Sequence, residues 1–388
     1  MKQRVLHLIS SSFIGGPEKQ ILQHAFSMEG SPYQIEVGSF FDQPEPPEIL
    51  HGAEAHNIPT VCLGGGIRLS LISELSRILN ERPGVLLCTH GFKANFVGYF
   101  AARRTGTRHI AFLRGWTAEN NRVKLYEVLE RFALSRAPYV VCVSRRQAEQ
   151  VARLRRGRTQ PFVIQNAMFP PWSRPDKEQP VTRAALGISD DAFIFGSVGR
   201  LSIEKGHRFM IDAFHQVQAK LGDSRRLHLI VVGDGHEQPA LEQQAAGYGL
   251  AGRVHFAGFQ GNPERWMRLL DCLVQPSLTE GTPNSVLEAM YFNVPVIATS
   301  VGGVPDLITH GDNGLLAQPG DVDALSSAMC QIVLDADLRN RLAGASQQPD
   351  WSYSPAVQKE KLLAVYKTAL AAPPGLQPKR FYPLKGAL

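Results

Sequence analysis

The sequence contains no apolar run that approaches the roughly 20 residues of a membrane-spanning helix. Its first apolar run, residues 5–9, is followed at once by three serines. That is too short for a signal-peptide core, and it predicts a β-strand. The five cysteines are scattered, with no C-x-x-C pair and no metal-binding spacing, which indicates buried reduced thiols. We therefore expect a cytoplasmic protein.

Positive charge is concentrated in the first half of the chain. Residues 1–175 contain 22 Lys and Arg against 13 Asp and Glu, and the remainder contains 19 against 22. Clusters at residues 103–104, 145–146 and 153–158 could face nucleic acid, an anionic membrane or a phosphorylated acceptor, or could be solvated helix faces. Nucleic acid is disfavoured because no nucleic-acid-binding motif accompanies the charge.

Short apolar runs alternate with amphipathic segments of helix length, as in parallel sheets covered by helices. The predicted strands are residues 5–9, 35–40, 60–63, 85–89, 109–113, 139–144 and 162–166 in the first half, and 193–199, 227–233, 254–258, 272–276, 295–299 and 314–317 in the second.

The alternation stops at residues 167–180, where four prolines indicate a linker. A chain of 388 residues also favours two domains over one core. We predict an α/β protein with Rossmann-like domains at residues 1–166 and 181–350, whose parallel sheets face each other across a cleft. Within residues 351–388 we expect a helix at 354–370 that returns to the first domain, followed by an irregular tail.

Ligands of such sheets bind in the loops after the strands. Arg200 and Lys205 follow the first strand of the second domain and precede a helix, whose N-terminal N–H groups favour anions. These two cations therefore predict a diphosphate site. Gly15-Gly16 occupies the corresponding loop of the first domain but lacks the G-x-G-x-x-G spacing, which argues against a nicotinamide or flavin cofactor.

Residues 276–295, PSLTEGTPNSVLEAMYFNVP, contain two glutamates, Glu280 and Glu288. The pattern predicts a loop at 277–285 and a helix at 286–292. Ser285 and Glu288 have the spacing of a capping box, which would explain Glu288 structurally. Glu280 lies outside the helix and has no such explanation, so it is the stronger functional candidate.

The phrases VGRLSIEKG, VVGDG, VHFAGF, PSLTEGTPNSVLEAM and PVIATSVGGVPDLI, in this order, resemble the retaining glycosyltransferases of family 4, which have the GT-B fold and an E-x7-E motif. The first domain matches more loosely, through FIGGPEKQ and THGFKANFVGYFAAR. The resemblance implies transfer of a hexosyl or N-acetylhexosaminyl unit from a UDP- or GDP-sugar, with retention, to a glycan hydroxyl.

The resemblance also implies a role for each site residue. Arg200 and Lys205 would bind the donor diphosphate and act in catalysis with Glu280, which would contact the donor sugar. Glu288 would hold the ribose. The remaining implied donor contacts are Gly15 and Gly16 over the phosphates, Gln260 along the nucleobase, and Gly281, Thr282, Pro283, Asn284 and Ser285 at the sugar and phosphate. The family uses neither a metal nor another cofactor, and attack from the front face needs no protein nucleophile.

One position departs from the family pattern. Arg114 stands in the loop after the strand at 109–113, where many members have a histidine, so the sugar or acceptor contact could fall to Arg114 or to His90. The basic first domain favours a lipid-linked acceptor, in cell-envelope polysaccharide or lipopolysaccharide synthesis, at the inner membrane face. The alternatives are a nucleotide-sugar epimerase on the same fold and a catalytically inactive nucleotide-sugar-binding protein.

Overall fold

A computed structural model describes residues 2–11, 14–41, 46–65, 69–116, 121–168, 181–222, 226–344 and 353–372. Nearly all of the predicted linker and the predicted tail lie outside these ranges. The chain divides into two compact units. The first comprises Met1–Ala167 and Ser352–Leu388, and the second comprises Met168–Trp351.

The first unit contains a seven-stranded parallel sheet in the order β3-β2-β1-β4-β5-β6-β7. Its strands are β1 Gln3–Ile9, β2 Tyr33–Phe40, β3 Thr60–Leu63, β4 Leu86–His90, β5 Arg108–Leu113, β6 Tyr139–Cys142 and β7 Phe162–Val163. Its helices before the second unit are α1 Gly16–Ser27, α2 Glu48–Glu54, α3 Ser70–Asn80, α4 Gly91–Thr105, α5 Asn121–Arg136 and α6 Arg145–Arg155. The central strands β1 and β4 are buried along most of their length because helices cover both faces of the sheet.

The second unit contains a six-stranded parallel sheet in the order β10-β9-β8-β11-β12-β13. Its strands are β8 Phe193–Val198, β9 Leu227–Val232, β10 Val254–Gly258, β11 Cys272–Gln275, β12 Val296–Thr299 and β13 Leu315–Ala317. Its helices are α7 His207–Leu221, α8 Gln238–Gly247, α9 Glu264–Met267, α10 Asn284–Tyr291, α11 Val304–Leu307, α12 Val322–Leu334 and α13 Ala336–Gly344. The prediction of two parallel α/β sheets is confirmed.

Strand order reverses at the same place in both sheets. In the first, β1 pairs with β2 on one side and β4 on the other; in the second, β8 pairs with β9 and β11. Open α/β sheets bind ligands at the carboxyl edge next to such a reversal. The loops after β1, β4, β8 and β11 are therefore the places where a ligand site is expected.

The last described helix, α14 (Pro355–Ala371), belongs to the first unit. Leu362, Val365, Tyr366 and Ala369 pack into the same core as β1, β4 and β5. Their spacing of three and four residues places them on one face of the helix. Across the described ranges, every helix is too short or too polar to cross a bilayer.

One arginine of the basic cluster at 153–158 is internal. Arg155 is 3% exposed and binds four backbone carbonyls around the end of α5. Its Nη1 donates to Leu134 and Ala137 at 2.6 and 2.8 Å, its Nη2 to Pro138 at 3.1 Å, and its Nε to Thr159 at 2.9 Å. Leu134 lies in the last turn of α5, whose carbonyls have no partners within the helix, and the other three carbonyls lie in the segments that follow α5 and α6. Arg155 is therefore neither part of a solvated helix face nor available to bind an anionic partner, the two interpretations that the sequence left open for this cluster.

We expect Arg155→Leu to lower the free energy of unfolding of the first unit by about 2–4 kcal/mol, because four carbonyls would lose the charged donor to which they are hydrogen-bonded. Denaturant or thermal unfolding followed by circular dichroism measures the change. Arg153→Leu removes an exposed arginine from the same helix and should stay within about 0.5 kcal/mol of wild type. Equal stability of the two variants would contradict the role assigned to Arg155.

Candidate active site

In the second unit, the loop after β8 carries two ion-paired cations. Nη2 of Arg200 donates to Oε1 of Glu204 at 2.6 Å, and Oγ of Ser202 donates to the same oxygen at 2.6 Å. Burial raises the pKa of Glu204, but these hydrogen bonds outweigh burial and leave that pKa below its usual value. Lys205 ends a single 3-10 turn directly before α7. The two predicted phosphate ligands thus share one short loop at the carboxyl end of β8.

The carboxylate of Glu280 receives three hydrogen bonds on one oxygen, Oε1. The donors are Nζ of Lys205 at 2.7 Å, Nε2 of Gln275 at 2.9 Å and Oγ of Ser277 at 2.6 Å. The glutamate side chain is 7% exposed and the lysine side chain 23% exposed. Sequence reasoning finds no structural role for Glu280, yet the structure supplies one: this carboxylate ties the loop after β11 to the loop after β8.

Backbone hydrogen bonds join the loops of four neighbouring strands. They run from Leu201 N to Asp234 O at 2.7 Å, from Leu278 N to Glu204 O at 2.8 Å, and from Gly303 N to Gly281 O at 2.7 Å. The loops after β9, β8, β11 and β12 are therefore connected in the order of their strands. This edge of the sheet is a continuous, internally bonded surface.

Two glycines allow these loops to approach so closely. Gly206 has φ +66°, and a Cβ there would lie 2.3 Å from the carbonyl oxygen of Pro276. Gly302 has φ +55°, and a Cβ there would lie 1.8 Å from the carbonyl oxygen of Glu280. Both positions lie in the left-handed region that favours glycine. A larger residue at Gly206 would push apart the loops that carry Lys205 and Glu280, and one at Gly302 would push the loop after β12 away from Glu280.

Helix α10 begins two residues earlier than predicted, at Asn284, with Pro283 as its N-cap. The predicted capping box of Ser285 and Glu288 is therefore wrong. Ser285 lies inside the first turn, and its Oγ donates to Oε1 of Gln275 at 2.8 Å. The reason is that the buried amide of Gln275 binds the Ser285 hydroxyl, which therefore does not cap the helix. Glu288 lies half-buried one turn further along.

Gln275 is a site residue that the sequence analysis missed. It is the last residue of β11 and is 2% exposed. Its amide nitrogen donates to Ser277 and Glu280, and its amide oxygen accepts from Ser285. One side chain therefore fixes both the carboxylate loop and the start of α10. The available signal was an amide at the end of an otherwise apolar strand.

The other predicted donor residues lie on the same edge. Gly281 and Thr282 lead into Pro283 and α10, so that helix begins four residues after Glu280. Gln260 follows β10, and its Nε2 donates to the carbonyl of Ala257 at 2.7 Å. Its neighbour Phe259 is 59% exposed, as a nucleobase contact would require.

In the first unit, Gly15 is the N-cap of α1, and Gly16 is the first residue of that helix. The N–H of Gly15 donates to Oε2 of Glu18 at 3.0 Å. Burial raises the pKa of Glu18, which is 7% exposed. This helix start thus already contacts one carboxyl group of its own chain.

His90 and Arg114 lie together in the first unit, at the ends of β4 and β5. They form one end of a chain of side-chain hydrogen bonds that continues through three residues not predicted from the sequence. The contacts are Arg114 Nε to His90 Nδ1 at 3.2 Å, His90 Nε2 to His7 Nδ1 at 2.9 Å, His7 Nε2 to the Tyr366 hydroxyl at 2.7 Å, and that hydroxyl to His24 Nε2 at 2.8 Å.

Burial dominates the electrostatics of this chain. It lowers the pKa of His7 and of His90 well below the usual value and that of His24 to about 3, with Arg114 contributing in each case. Burial also lowers the pKa of Arg114 to about 10, so the guanidinium remains a cation at neutral pH.

His7, His24 and Arg114 line a cavity of about 20 Å³ together with other residues of the first unit. Histidine within the apolar run VLHLI was the one sequence signal for this cluster.

Two family models match the chain in succession. The model described as "Glycosyl transferase 4-like domain" matches residues 15–167, and the model described as "Glycosyl transferases group 1" matches residues 178–348. Together they cover the second sheet with its loops and the first sheet from β2 onwards.

Among curated relatives, the chain is 34% identical over 232 residues to the 2-deoxystreptamine N-acetyl-D-glucosaminyltransferase of Streptomyces fradiae, covering 58% of this chain and 54% of that protein. It is 23% identical over 351 residues to the UDP-Gal:alpha-D-GlcNAc-diphosphoundecaprenol alpha-1,3-galactosyltransferase of Escherichia coli, covering 86% and 89%. The chain spans about half the length of most curated relatives that it matches.

Among solved structures, Anabaena HepE in complex with UDP and glucose matches with a TM-score of 0.79 and 23% identity. The match covers 94% of this chain and 100% of that one. The likeness concerns the fold, and the two family models carry the assignment of family. The chain belongs to the family-4-like glycosyltransferases of the GT-B fold.

Proposed function

We propose that this protein is a retaining glycosyltransferase that moves a hexosyl or N-acetylhexosaminyl unit from a UDP- or GDP-sugar to a hydroxyl of a lipid-linked glycan, in cell-envelope polysaccharide or lipopolysaccharide synthesis. The observation that carries the proposal is that the loop of Arg200 and Lys205 is bonded, through Lys205 and Glu280, to the loop that leads into α10 beside the strand reversal of the second sheet. Curated relatives with sugar-transfer names support it.

Breaking a sugar–phosphate bond places negative charge on the departing diphosphate. The greatest catalytic requirement is therefore positive charge already in position at the leaving group. Arg200 and Lys205 supply it, and the first N–H groups of α10 add hydrogen-bond donors. Because these groups carry out the stabilisation, we propose transfer without a bound metal or another cofactor.

Glu280 fits an orienting role better than a nucleophilic one. Its Oε1 is occupied by three donors, which hold the side chain still and reduce the nucleophilicity of that oxygen. We propose that Glu280 positions Lys205 and contacts the donor sugar, while the departing phosphate takes the acceptor proton. Glu288, one turn along α10, is proposed to bind the nucleotide ribose.

A panel of UDP-, GDP- and ADP-sugars tests the donor in thermal unfolding. A ligand at 100 times its dissociation constant should stabilise the protein by about 2.7 kcal/mol. We expect UDP- or GDP-sugars to raise the melting temperature and ADP-sugars to have little effect. Nucleotide release that requires an acceptor indicates sugar transfer. Interconversion of nucleotide sugars without an acceptor would favour the epimerase. Thermal stabilisation by a nucleotide sugar without any turnover would favour the inactive binding protein.

We expect Lys205→Ala to reduce kcat for transfer about 10²- to 10³-fold, because one charge-stabilising group at the leaving diphosphate is lost. Glu280→Ala should also impair transfer, since it releases Lys205. Arg226→Ala is the matched control: it removes an exposed cation that is paired with Asp191 in the same unit. Unchanged transfer in both Lys205→Ala and Glu280→Ala would refute this placement of the active site.

We further propose that helix α5 docks on an anionic membrane where the acceptor lies. Its exposed stripe combines apolar and basic side chains: Lys124, Leu125, Val128, Arg131, Phe132 and Arg136. Leu125 and Val128 are 58% and 60% exposed. The glutamates of this helix are turned inward, so the stripe is basic and apolar, as membrane-surface helices are.

Sedimentation with vesicles tests this surface. Wild-type protein should bind vesicles that contain phosphatidylglycerol and should bind neutral phosphatidylcholine vesicles much less. Leu125→Glu should abolish most of the binding, whereas Leu69→Glu, the same change at a leucine that is 80% exposed elsewhere in the first unit, should not. Equal binding of the two variants would argue against α5 as the docking surface.

A further inference from the structure

Arg114 is a half-buried cation with only neutral hydrogen-bond partners. Its Nε donates to His90 and its Nη1 donates to Oδ1 of Asn166 at 3.2 Å. No carboxylate in the described part of the chain forms an ion pair with it. Glu18 is near enough to raise the pKa of Arg114, but the carboxyl group of Glu18 contacts the N–H of Gly15 instead. A buried charge without a counter-charge is costly, and a ligand of opposite charge would remove that cost.

His90 cannot take the ligand-contacting role that the sequence leaves open. Its side chain is 1% exposed, and both ring nitrogens are bonded inside the protein, one to Arg114 and the other to His7. Arg114 has five N–H donors and uses two of them on protein acceptors within the described ranges. Of the two candidates, the arginine alone keeps donors for a substrate.

The hydrogen-bond chain behind Arg114 runs in one direction. A guanidinium only donates, so Nδ1 of His90 accepts and the proton of the neutral ring is on Nε2. That N–H donates to Nδ1 of His7, which leaves the proton of His7 on Nε2, facing the Tyr366 hydroxyl. Each ring has one tautomer that satisfies both of its contacts. The orientation of His90, and with it the acceptor offered to Arg114, is thus fixed from helix α14.

We propose that Arg114 binds a phosphate oxygen of the substrate at the carboxyl edge of the first sheet, and that His90, His7 and Tyr366 are positioning residues that hold its guanidinium. The proposal rests on the proposed function, because the substrates named there bring two phosphate sources, the donor diphosphate and the phosphate of a lipid-linked acceptor. Arginine suits either source, since its planar fork matches the geometry of phosphate oxygens.

Binding of three phosphate probes to the whole protein tests the ligand class. Calorimetry with UDP-glucose, inorganic pyrophosphate and geranyl phosphate is compared between wild type and Arg114→Gln, with geraniol as the uncharged match. We expect Arg114→Gln to weaken binding of at least one phosphate probe about 10- to 100-fold, the effect of one charge-assisted contact. Arg114→Lys should recover part of it, because the charge remains without the fork.

The pattern of losses identifies the phosphate. Weaker binding of UDP-glucose and pyrophosphate would indicate that Arg114 contacts the donor diphosphate. Weaker binding of geranyl phosphate, with unchanged binding of geraniol, would indicate that it contacts the acceptor phosphate. Arg77→Gln, which removes an exposed arginine of the same unit, should bind all probes within about twofold of wild type. If Arg114→Gln binds every probe as wild type does, while Lys205→Ala loses UDP-glucose, this inference is wrong and the proposed function stands. If wild type binds neither UDP-glucose nor a GDP-sugar but Arg114→Gln loses pyrophosphate binding, the proposed function fails and the anion site stands.

A second variant tests the positioning role. Tyr366→Phe keeps the ring in the core but removes the acceptor for His7 Nε2–H, so we expect binding about 3- to 10-fold weaker for the probe that depends on Arg114. The side-chain nitrogen spectrum of His7, which loses one of its two partners, should change from one tautomer to a mixture. Tyr139→Phe is the control. The hydroxyl of Tyr139 donates to the carbonyl of Thr368 on α14 and takes no part in the hydrogen bonds that link Arg114 to Tyr366. Wild-type binding and a single His7 tautomer in Tyr366→Phe would overturn the positioning role.

Discussion

The position of Lys205 in the second unit depends on one carboxylate oxygen, Oε1 of Glu280. Strand order reverses between β8 and β11, so the chain leaves these strands towards opposite faces of the sheet, and nothing in the sheet itself holds the two loops together. Lys205 reaches across the reversal to Glu280, while Gln275 and Ser277 hold the same oxygen from β11. The position of the cation therefore depends on the position of the carboxylate, and a substitution at either one disturbs both.

The sheets and their order along the chain were predictable because their signals are local. Apolar runs, prolines and amphipathic segments act over five to fifteen residues, and the strand predictions at residues 193–199 and 272–276 differ from β8 and β11 only at their ends. The start of α10 was not predictable in the same way. Ser285 has the sequence spacing of a capping box, but a buried amide on a neighbouring strand competes for its hydroxyl. A capping pattern read from the sequence fails where a residue distant in sequence forms a hydrogen bond with the capping side chain.

The same limit is sharper in the first unit. Tyr366 contacts His7, a partner 359 residues away in sequence, and no pattern in either segment indicates the pairing. Arg155 shows the converse error: its sequence neighbourhood is a run of surface arginines, whereas its side chain is buried among carbonyls. Charge clusters in a sequence report composition. Which member faces solvent depends on the helix face, and here α6 turns one arginine inward.

The two units hold their site cations by different means, and the difference bears on what each can bind. Lys205 and Arg200 are paired with carboxylates, which orient them but also offset their charge. Arg114 is oriented by the imidazole of His90 and the amide of Asn166. The amide has no charge, and the imidazole is neutral because burial lowers the pKa of His90 well below its usual value. A carboxylate in place of His90 would hold the guanidinium more tightly and would compete with an incoming phosphate for it. Neutral acceptors fix the direction of the donors and leave the positive potential available, which suits a cation that has to bind an anion and release it again.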